Sequence, residues 1–478
     1  MSAAFDVDVA ILGAGTAGMA AYREARKYTD RVLLFDGGAL GTTCARVGCM
    51  PSKLLIAAAD AANHVRHAAR FGVVSEPPRI DGRAVMARVR AERDRFVGFV
   101  LEALGQFDPA HLVRENARFL DPHTLETPGG RRITARAVVI ATGSRPHVPA
   151  PFLAAGERLV VNDDVFDWQD LPASVAVFGG GVIGLELGQA LHRLGVRVRL
   201  FGRDRLVGPL SDPQLLDYAA RVFGREIPTH WHAEVEISRE GEQVLVRWTD
   251  EHGGGEERFA YLLAAAGRRP NVEGLGLENI GLALGPRGLP LYDLRSTQAG
   301  QSHIFIAGDA NGDFTLLHEA ADEGRLAGEN AARLPHAYRR TRRTELGVAF
   351  CDPQIGVAGK GFAVLQKAGV QFVTGAASYE DQGRARVMGV NQGLLHIYGE
   401  AETGRLLGAE MIGPSAEHLL HLLAWAIESQ LTVAEALQRA FYHPVLEEGV
   451  RTALRNLNAA LGFGPNPPLR CIDCGPGA

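Results

Sequence analysis

The chain has 478 residues, too many for a single hydrophobic core and enough for two to four domains. Its 55 acidic and 50 basic residues leave a formal charge of −5 with no long basic block, so nothing electrostatic supports a nucleic-acid-binding role. With 46% hydrophobic residues but no run of eighteen apolar ones, the composition suits a globular protein and no membrane span is expected. The opening Met1-Ser-Ala-Ala-Phe-Asp6 has no basic region of the signal-peptide kind, which points to the cytoplasm. Cysteines at 44, 49, 351, 471 and 474 are too few, and odd in number, for a structural disulfide framework. Pairs among them point to redox, catalytic or metal chemistry.

In chain order, Val7–Leu12 is a short apolar run leading into Gly13-Ala-Gly15-Thr-Ala-Gly18 and a helical pattern to about Lys27. A second apolar run, Arg31–Phe35, ends at Asp36. Strand, GxGxxG, helix, strand and an acid about twenty residues on is the dinucleotide-binding pattern. The glycines let backbone approach a pyrophosphate at a helix N-terminus, and Asp36 would hold a ribose hydroxyl.

Next comes Gly41-Thr-Thr-Cys44-Ala-Arg-Val-Gly-Cys49-Met-Pro51-Ser-Lys53. On a regular helix, residues five apart lie roughly 8–9 Å from one another, too far for a disulfide. The flanking glycines and Pro51 instead predict a distorted loop-to-helix start, with Cys49 near the positive end of a helix, where a thiolate is stabilised. A long charged helix is predicted over Ala84–Phe107, and a buried strand over Ala137–Ile140 ends at Ala141-Thr142-Gly143.

The nucleotide-binding pattern then recurs. Val175–Phe178 enters Gly179-Gly-Gly181-Val-Ile-Gly184, a helix to about Arg193 and a strand Val196–Phe201. Two such units imply two dinucleotides, or one cofactor and one substrate nucleotide. The redox cysteines beside the first suggest a flavin there and a nicotinamide at the second. Strands Val244–Trp248 and Phe259–Ala265 are expected to flank a hairpin at Gly253-Gly-Gly255, and a strand Ile304–Ala307 to end at Gly308-Asp309. From about residue 346 alternating strands precede helices at 415–428 and 445–461, an α+β domain. The prolines and glycines of residues 463–478 predict a flexible tail, which carries Cys471-Ile-Asp-Cys474.

In combination these motifs resemble the class I pyridine nucleotide–disulfide oxidoreductases, the family of dihydrolipoamide dehydrogenase, glutathione reductase and mercuric reductase. The resemblance covers about residues 5–462. It rests on the two GxGxxG units, the CxxxxC-x-P-S-K run, Ala141-Thr142-Gly143, Gly267-Arg268-Arg269-Pro270-Asn271, Ala307-Gly308-Asp309, Asp352-Pro353, and His443-Pro444 with Glu448 five residues on. It implies an α/β protein with two Rossmann-type domains. An FAD-binding domain would cover 1–150 and 275–345, an NAD(P)-binding domain 151–274, and an interface domain 346–462. It also implies an obligatory homodimer in which the catalytic His comes from the partner.

Carried over by the resemblance, Cys49 is the flavin-proximal thiol that forms a charge-transfer pair with the flavin, and Cys44 is the interchange thiol that meets the substrate. Lys53, near the flavin's reducible nitrogen, pairs with Glu186. Asp309 binds the ribityl chain. His443 is the general acid/base, oriented by Glu448. Gly13, Gly15, Gly18, Asp36, Thr43, Thr142, Gly143 and Gly267 join the cofactor contacts, with Gly179, Gly181, Gly184, Arg203 and Arg205 toward the nicotinamide cofactor. No resident metal is implied.

Cys49-Met-Pro-Ser-Lys53 follows the form of the lipoamide and mercuric reductases, and Leu317-His318-Glu-Ala320 resembles the lipoamide enzymes more. His443 stands where mercuric reductases place Tyr, and no N-terminal metal-binding domain is expected. Retention of both Cys44 and Cys49 separates the chain from soluble transhydrogenases of this fold. A dihydrolipoamide dehydrogenase-like enzyme acting on a small-molecule or protein-bound disulfide is therefore expected. Two departures matter. Gly202 stands where NAD-specific members place Glu, and Arg203 and Arg205 suit a 2′-phosphate, so NADPH is expected ahead of NADH. Cys471 and Cys474 could relay electrons, contribute to a metal site or be inert. A glutathione reductase-like enzyme or a metalloid or chalcogen reductase using that pair is the alternative, and a flavin-binding sensor without turnover is the alternative class.

Overall fold

The computed structural model describes residues 5–203 and 206–463. Arg205, Cys471, Cys474 and the tail, on which expectations were placed, lie outside the described residues. The chain divides into two compact units. One comprises the segment up to Pro51, Arg88–His147 and Gly267–Arg342; the other comprises Ser52–Ala87, Val148–Ala266 and the segment from Arg343.

The first unit is built on a sheet whose parallel centre is Val32–Phe35, Val7–Leu12 and Arg132–Ile140, with Ile304–Ile306 also parallel to the last. Leu112–Val113 extends one edge, and the short antiparallel strands Thr124–Glu126 and Arg118–Phe119 extend the other. The central strands read as continuous apolar runs because both faces are covered. Val9, Ile11, Val139 and Phe305 are all fully buried. On one face Thr16–Ala25 packs against Leu317–Arg333, and only glycines permit the approach. A Cβ at Gly324 would lie 2.2 Å from the Ala17 carbonyl oxygen, and one at Gly328 2.2 Å from that of Ala21. A two-stranded antiparallel ribbon, Ser144–Pro146 with Arg268–Pro270, carries the chain out of this unit and back.

The second unit holds the second parallel sheet, in the order Thr229–Trp231, Arg197–Gly202, Ser174–Phe178, Tyr261–Ala264, Leu159–Val160. Beside it lies an antiparallel meander of Glu234–Glu240, Gln243–Asp250 and Gly253–Phe259. The expected hairpin glycines are a correction: Gly253, Gly254 and Gly255 lie inside the third meander strand, and the turn falls before them at residues 251–252. Gly255 is small because Trp248 lies across it; a Cβ there would be 2.4 Å from the indole ring. The C-terminal part is an antiparallel sheet in the order Leu346–Ala349, Gln354–Gly359, Leu406–Gly413, Leu394–Glu400, Phe372–Ser378. Helices Ala416–Glu428 and Glu448–Leu461 cover it through Leu419, Leu420, Leu454 and Leu457. Among the described residues no helix is long and apolar enough to cross a membrane.

Candidate active site

The first glycine loop is shaped by contacts that exclude side chains. Gly13 has φ +106°, and a Cβ on it would sit 2.4 Å from the Ala141 carbonyl oxygen; one on Gly18 would sit 1.7 Å from that of Gly13. Gly15, the N-cap of Thr16–Ala25, has nothing within 4 Å of its Cβ position, so its side is left for a ligand. Asp36, at the end of the second strand, accepts from Ala14 N at 2.7 Å and Gly38 N at 2.8 Å. A cavity of about 950 Å³ opens here, lined by Gly13, Asp36, Asn116, Thr142, Arg145 and Asn271 among others. The hydroxyl oxygen of Thr142 is buried and has no hydrogen-bond partner among the described residues. An orphaned polar atom, a side-chain-free helix start and an acid at the ribose position fit a dinucleotide such as FAD.

The cysteines stand on two successive helices. Thr42 caps the first, Thr43–Val47, with its hydroxyl accepting from Ala45 N at 3.3 Å. Its backbone, at φ 61° and ψ 149°, is in a region almost reserved for glycine. Cys44 is half-buried in that short helix. The chain breaks at Gly48, and the second helix, Cys49–His67, starts at the exposed Cys49 with Pro51 in its first turn. A Cβ on Gly48 would be 3.0 Å from the Thr43 carbonyl oxygen and 3.3 Å from Cys44 Cα, so the break folds back onto the first cysteine. This is the distorted start expected from the flanking residues.

In the second unit the glycine loop repeats the first. A Cβ on Gly179 (φ +127°) would lie 2.2 Å from the Ala265 carbonyl oxygen, and one on Gly184 1.8 Å from that of Gly179. Gly181 caps Val182–Arg193 and again has nothing within 4 Å of its Cβ position. The strand Arg197–Gly202 ends with no acid, and Arg203 follows it, exposed.

One turn into the helix Val182–Arg193, Glu186 is buried and accepts from Lys53 Nζ at 2.8 Å on both oxygens. Sequence reasoning missed what holds this pair. Phe350 N donates to Glu186 at 2.9 Å, and the Phe350 ring centroid lies 4.6 Å from Lys53 Nζ, within cation–π range. Gln189 exchanges two bonds with the Asp352 backbone, at 2.8 and 2.7 Å, and Arg193 donates to the Asp352 carboxylate at 2.9 Å. The signal was available: Glu186, Gln189 and Arg193 are spaced three and four apart, hence on one helix face. Cys351, between these contacts, is buried, and burial together with the Glu186 charge pushes its thiol well above the usual range.

His443 presents its Nδ1 to both oxygens of Glu448 at 3.1 Å, while its side chain stays 61% exposed. Glu448 is buried and also accepts from Arg451 at 3.1 Å and Val445 N at 3.3 Å. A carboxylate acceptor places the imidazole proton on Nδ1 and leaves Nε2 as the outward atom. Asp309 accepts from the Ser144 hydroxyl at 2.6 Å, within the first unit. Gly143 (φ +70°) and Gly267 (φ +99°) flank the ribbon. Among the described residues no group of three or more His, Cys, Asp and Glu is placed to hold a metal.

Two dinucleotide folds, a cysteine pair behind the first and a His–Glu pair in a C-terminal domain define a flavin-dependent disulfide reductase. The chain belongs to the pyridine nucleotide–disulphide oxidoreductase family, whose profile matches residues 7–324, followed by the family's dimerisation domain over 346–454. It is 32% identical over 471 residues to a mercuric reductase of Shigella flexneri, covering 94% of this chain and 80% of that one. It is 31% identical over 467 residues to a dihydrolipoyl dehydrogenase of Thermus scotoductus, covering 94% and 97%. The solved structure of LpdA from Mycobacterium tuberculosis superposes with a TM-score of 0.78 at 25% identity, covering 94% of this chain and 99% of that one. The family uses FAD with NAD(P)H, and the dimerisation domain implies a homodimer.

Proposed function

We propose that the chain is an NAD(P)H:disulfide oxidoreductase of the dihydrolipoamide dehydrogenase type, with Cys44 and Cys49 as its redox pair. The observation that carries this reading is the break at Gly48, which puts each cysteine in the first turn of its own helix instead of five residues apart on one. Bound FAD supplies the passage of two electrons between a nicotinamide hydride and a dithiol, which side chains alone cannot perform. Gly13, Gly15, Gly18, Asp36, Thr43, Thr142, Gly143, Asp309 and Gly267 would hold it, with Lys53 fixed by Glu186 beside its reactive ring. Gly179, Gly181, Gly184 and Arg203 would hold the nicotinamide cofactor. We assign the FAD-binding domain to 1–150 and 275–345, the NAD(P)-binding domain to 151–274 and the interface domain to 346–462.

In the exchange, Nε2 of His443 of the partner subunit takes the proton of Cys44, the thiolate so formed attacks one sulfur of the substrate disulfide, and the first thiol leaves with that proton returned from Nε2. The Cys49 thiol then gives its proton to the same Nε2 as its sulfur attacks the Cys44 sulfur, the second thiolate leaves and takes up that proton, and the cysteine pair is left oxidised while the substrate has gained two electrons and two protons. Glu448 holds the ring and stabilises the imidazolium.

Cys44→Ser should abolish disulfide turnover and give a new long-wavelength absorbance with oxidised flavin, from the remaining Cys49 thiolate. Full disulfide turnover in that variant would sink the reading. Lipoamide, glutathione disulfide and Hg(II), each tried with NADPH and NADH, sort the substrate. His443, where mercuric reductases place Tyr, weighs against Hg(II), while the 32% identity to a mercuric reductase keeps it in the panel as the second candidate. Removing residues 470–478 should slow a bulky or protein disulfide while sparing a small one if Cys471 and Cys474 relay electrons. Unchanged rates across the panel would make the pair inert.

A further inference from the structure

We propose that Ser144 and Arg268 are positioning residues for Asp309, a relay that aims one carboxylate oxygen at a bound flavin. The proposal rests on the reading that Asp309 contacts a flavin ribityl chain. Ser144 opens the outgoing strand of the ribbon and Arg268 the returning one. Arg268 donates from Nε to the Ser144 hydroxyl oxygen and from Nη2 to the Ser144 carbonyl, each at 2.8 Å. A guanidinium has donors only, so the Ser144 oxygen must accept there. Its single proton is thereby committed to Asp309 Oδ2, 2.6 Å away. Arg268 itself stands 4.0 Å from Asp309 Oδ2, beyond a hydrogen bond, and so acts through the serine.

The other side of Asp309 is fixed as well. It sits in the turn Gly308–Asn311, where Glu323 accepts from Gly308 N at 2.8 Å and Asn311 Nδ2 at 2.7 Å. Arg342 in turn pairs with Glu323 at 2.7 Å. With Oδ2 engaged and the turn held from behind, Oδ1 is the oxygen presented to a ligand hydroxyl. Ser144 is buried, and the side chain of Arg268 is only 15% exposed, so water competes poorly for either bond. Neither residue carries a side chain that needs to touch the ligand for this role.

The test is FAD affinity of the full chain, read from flavin fluorescence on rebinding to apoprotein, with the apoprotein melting temperature recorded beside it. Ser144→Ala should weaken FAD about tenfold with the apoprotein melting temperature unchanged, and Arg268→Gln should weaken it several-fold. Because Arg268 acts through Ser144, the double variant should bind FAD within about twofold of Ser144→Ala, and Arg268→Lys, which keeps a cationic donor but not the two-nitrogen fork, should fall between wild type and Arg268→Gln. Wild-type affinity in Ser144→Ala, or effects of the two substitutions that multiply, would overturn the relay. Should Arg268→Gln fail to fold, Ser144→Ala still decides. Asp309→Ala separates the two ideas: unchanged affinity there removes the reading of Asp309 as a flavin contact, whereas a loss there with none in Ser144→Ala removes only the relay.

Discussion

The two glycine loops are near copies that end differently. In both, the first glycine lies against a carbonyl of the neighbouring strand end and the last against the carbonyl of the first, with Cβ positions at 1.7–2.4 Å from those oxygens. At the second position they part. Ala14 gives its N–H to Asp36, so an acid closes the first loop. Its counterpart Gly180 has the Trp231 ring 2.5 Å and the Leu206 carbonyl 2.2 Å from its Cβ position, and Gly208 N donates to its carbonyl at 2.8 Å. Where the first loop is closed by an acid, the second is closed by the segment following its strand, with Arg203 exposed at the start of that segment. The same Rossmann-type scaffold serves in either case, and in the reading proposed above the closing residues choose the ribose or phosphate that fits.

The largest expected break in the comparison comes from filling the shared contact. Gly18→Val should abolish FAD incorporation and most soluble protein, since a methyl cannot enter a space already held by backbone. Gly184→Val meets the same backbone overlap and should also lower the yield, but the protein that folds should be yellow, with reduction by nicotinamide lower on the order of a hundredfold or more. Flavin content and stopped-flow reduction measure both. Equal flavin loss in the two variants would show that the loops are not separate sites.

Asp36→Ala ranks next, because it strips the acceptor from two backbone N–H groups at once and leaves both without a side-chain partner. FAD should bind roughly ten- to a hundredfold more weakly, by fluorescence titration. The reciprocal change, Gly202→Glu, supplies the second loop with the acid it lacks and should move preference toward NADH. Arg203→Ala, a smaller step, should weaken NADPH about tenfold and NADH little, in the ratio of kcat/KM values. Equal losses for both nicotinamides would remove the 2′-phosphate reading.

Much of this is legible in the amino-acid sequence because it depends on short spacings. GxGxxG between two strands and a helix, with an acid about twenty residues on, points to a dinucleotide fold, and cysteines five positions apart with Gly48 between them could form a disulfide only on a distorted helix start. The meander glycines misled because a turn-like triplet was read without its tertiary partner, the Trp248 ring that covers Gly255. The grip of Phe350 on Lys53 and of Arg268 on Ser144 was out of reach for another reason. These partners lie far apart in the chain, and only the packed fold brings them together.

The smallest effect belongs to the rim of the first cavity. Arg145 makes a two-pronged pair with Glu273, at 2.9 and 3.0 Å, and both line the cavity. The Arg145 hydrogen bonds lower the Glu273 carboxyl to about 2. A carboxyl depressed in the folded state stabilises the protein fully above its unfolded value near 4.5, and that contribution is lost as pH falls from there through about 2. Both side chains are about half exposed, so solvent screening limits the pair to less than about 1 kcal/mol. Glu273→Gln should therefore lower the urea midpoint of the apoprotein slightly at pH 6, and the gap from wild type should shrink by pH 3. It should also shrink in high salt, since an exposed pair is screened. A gap that grows toward acid would mean that Glu273 is held by burial rather than by Arg145.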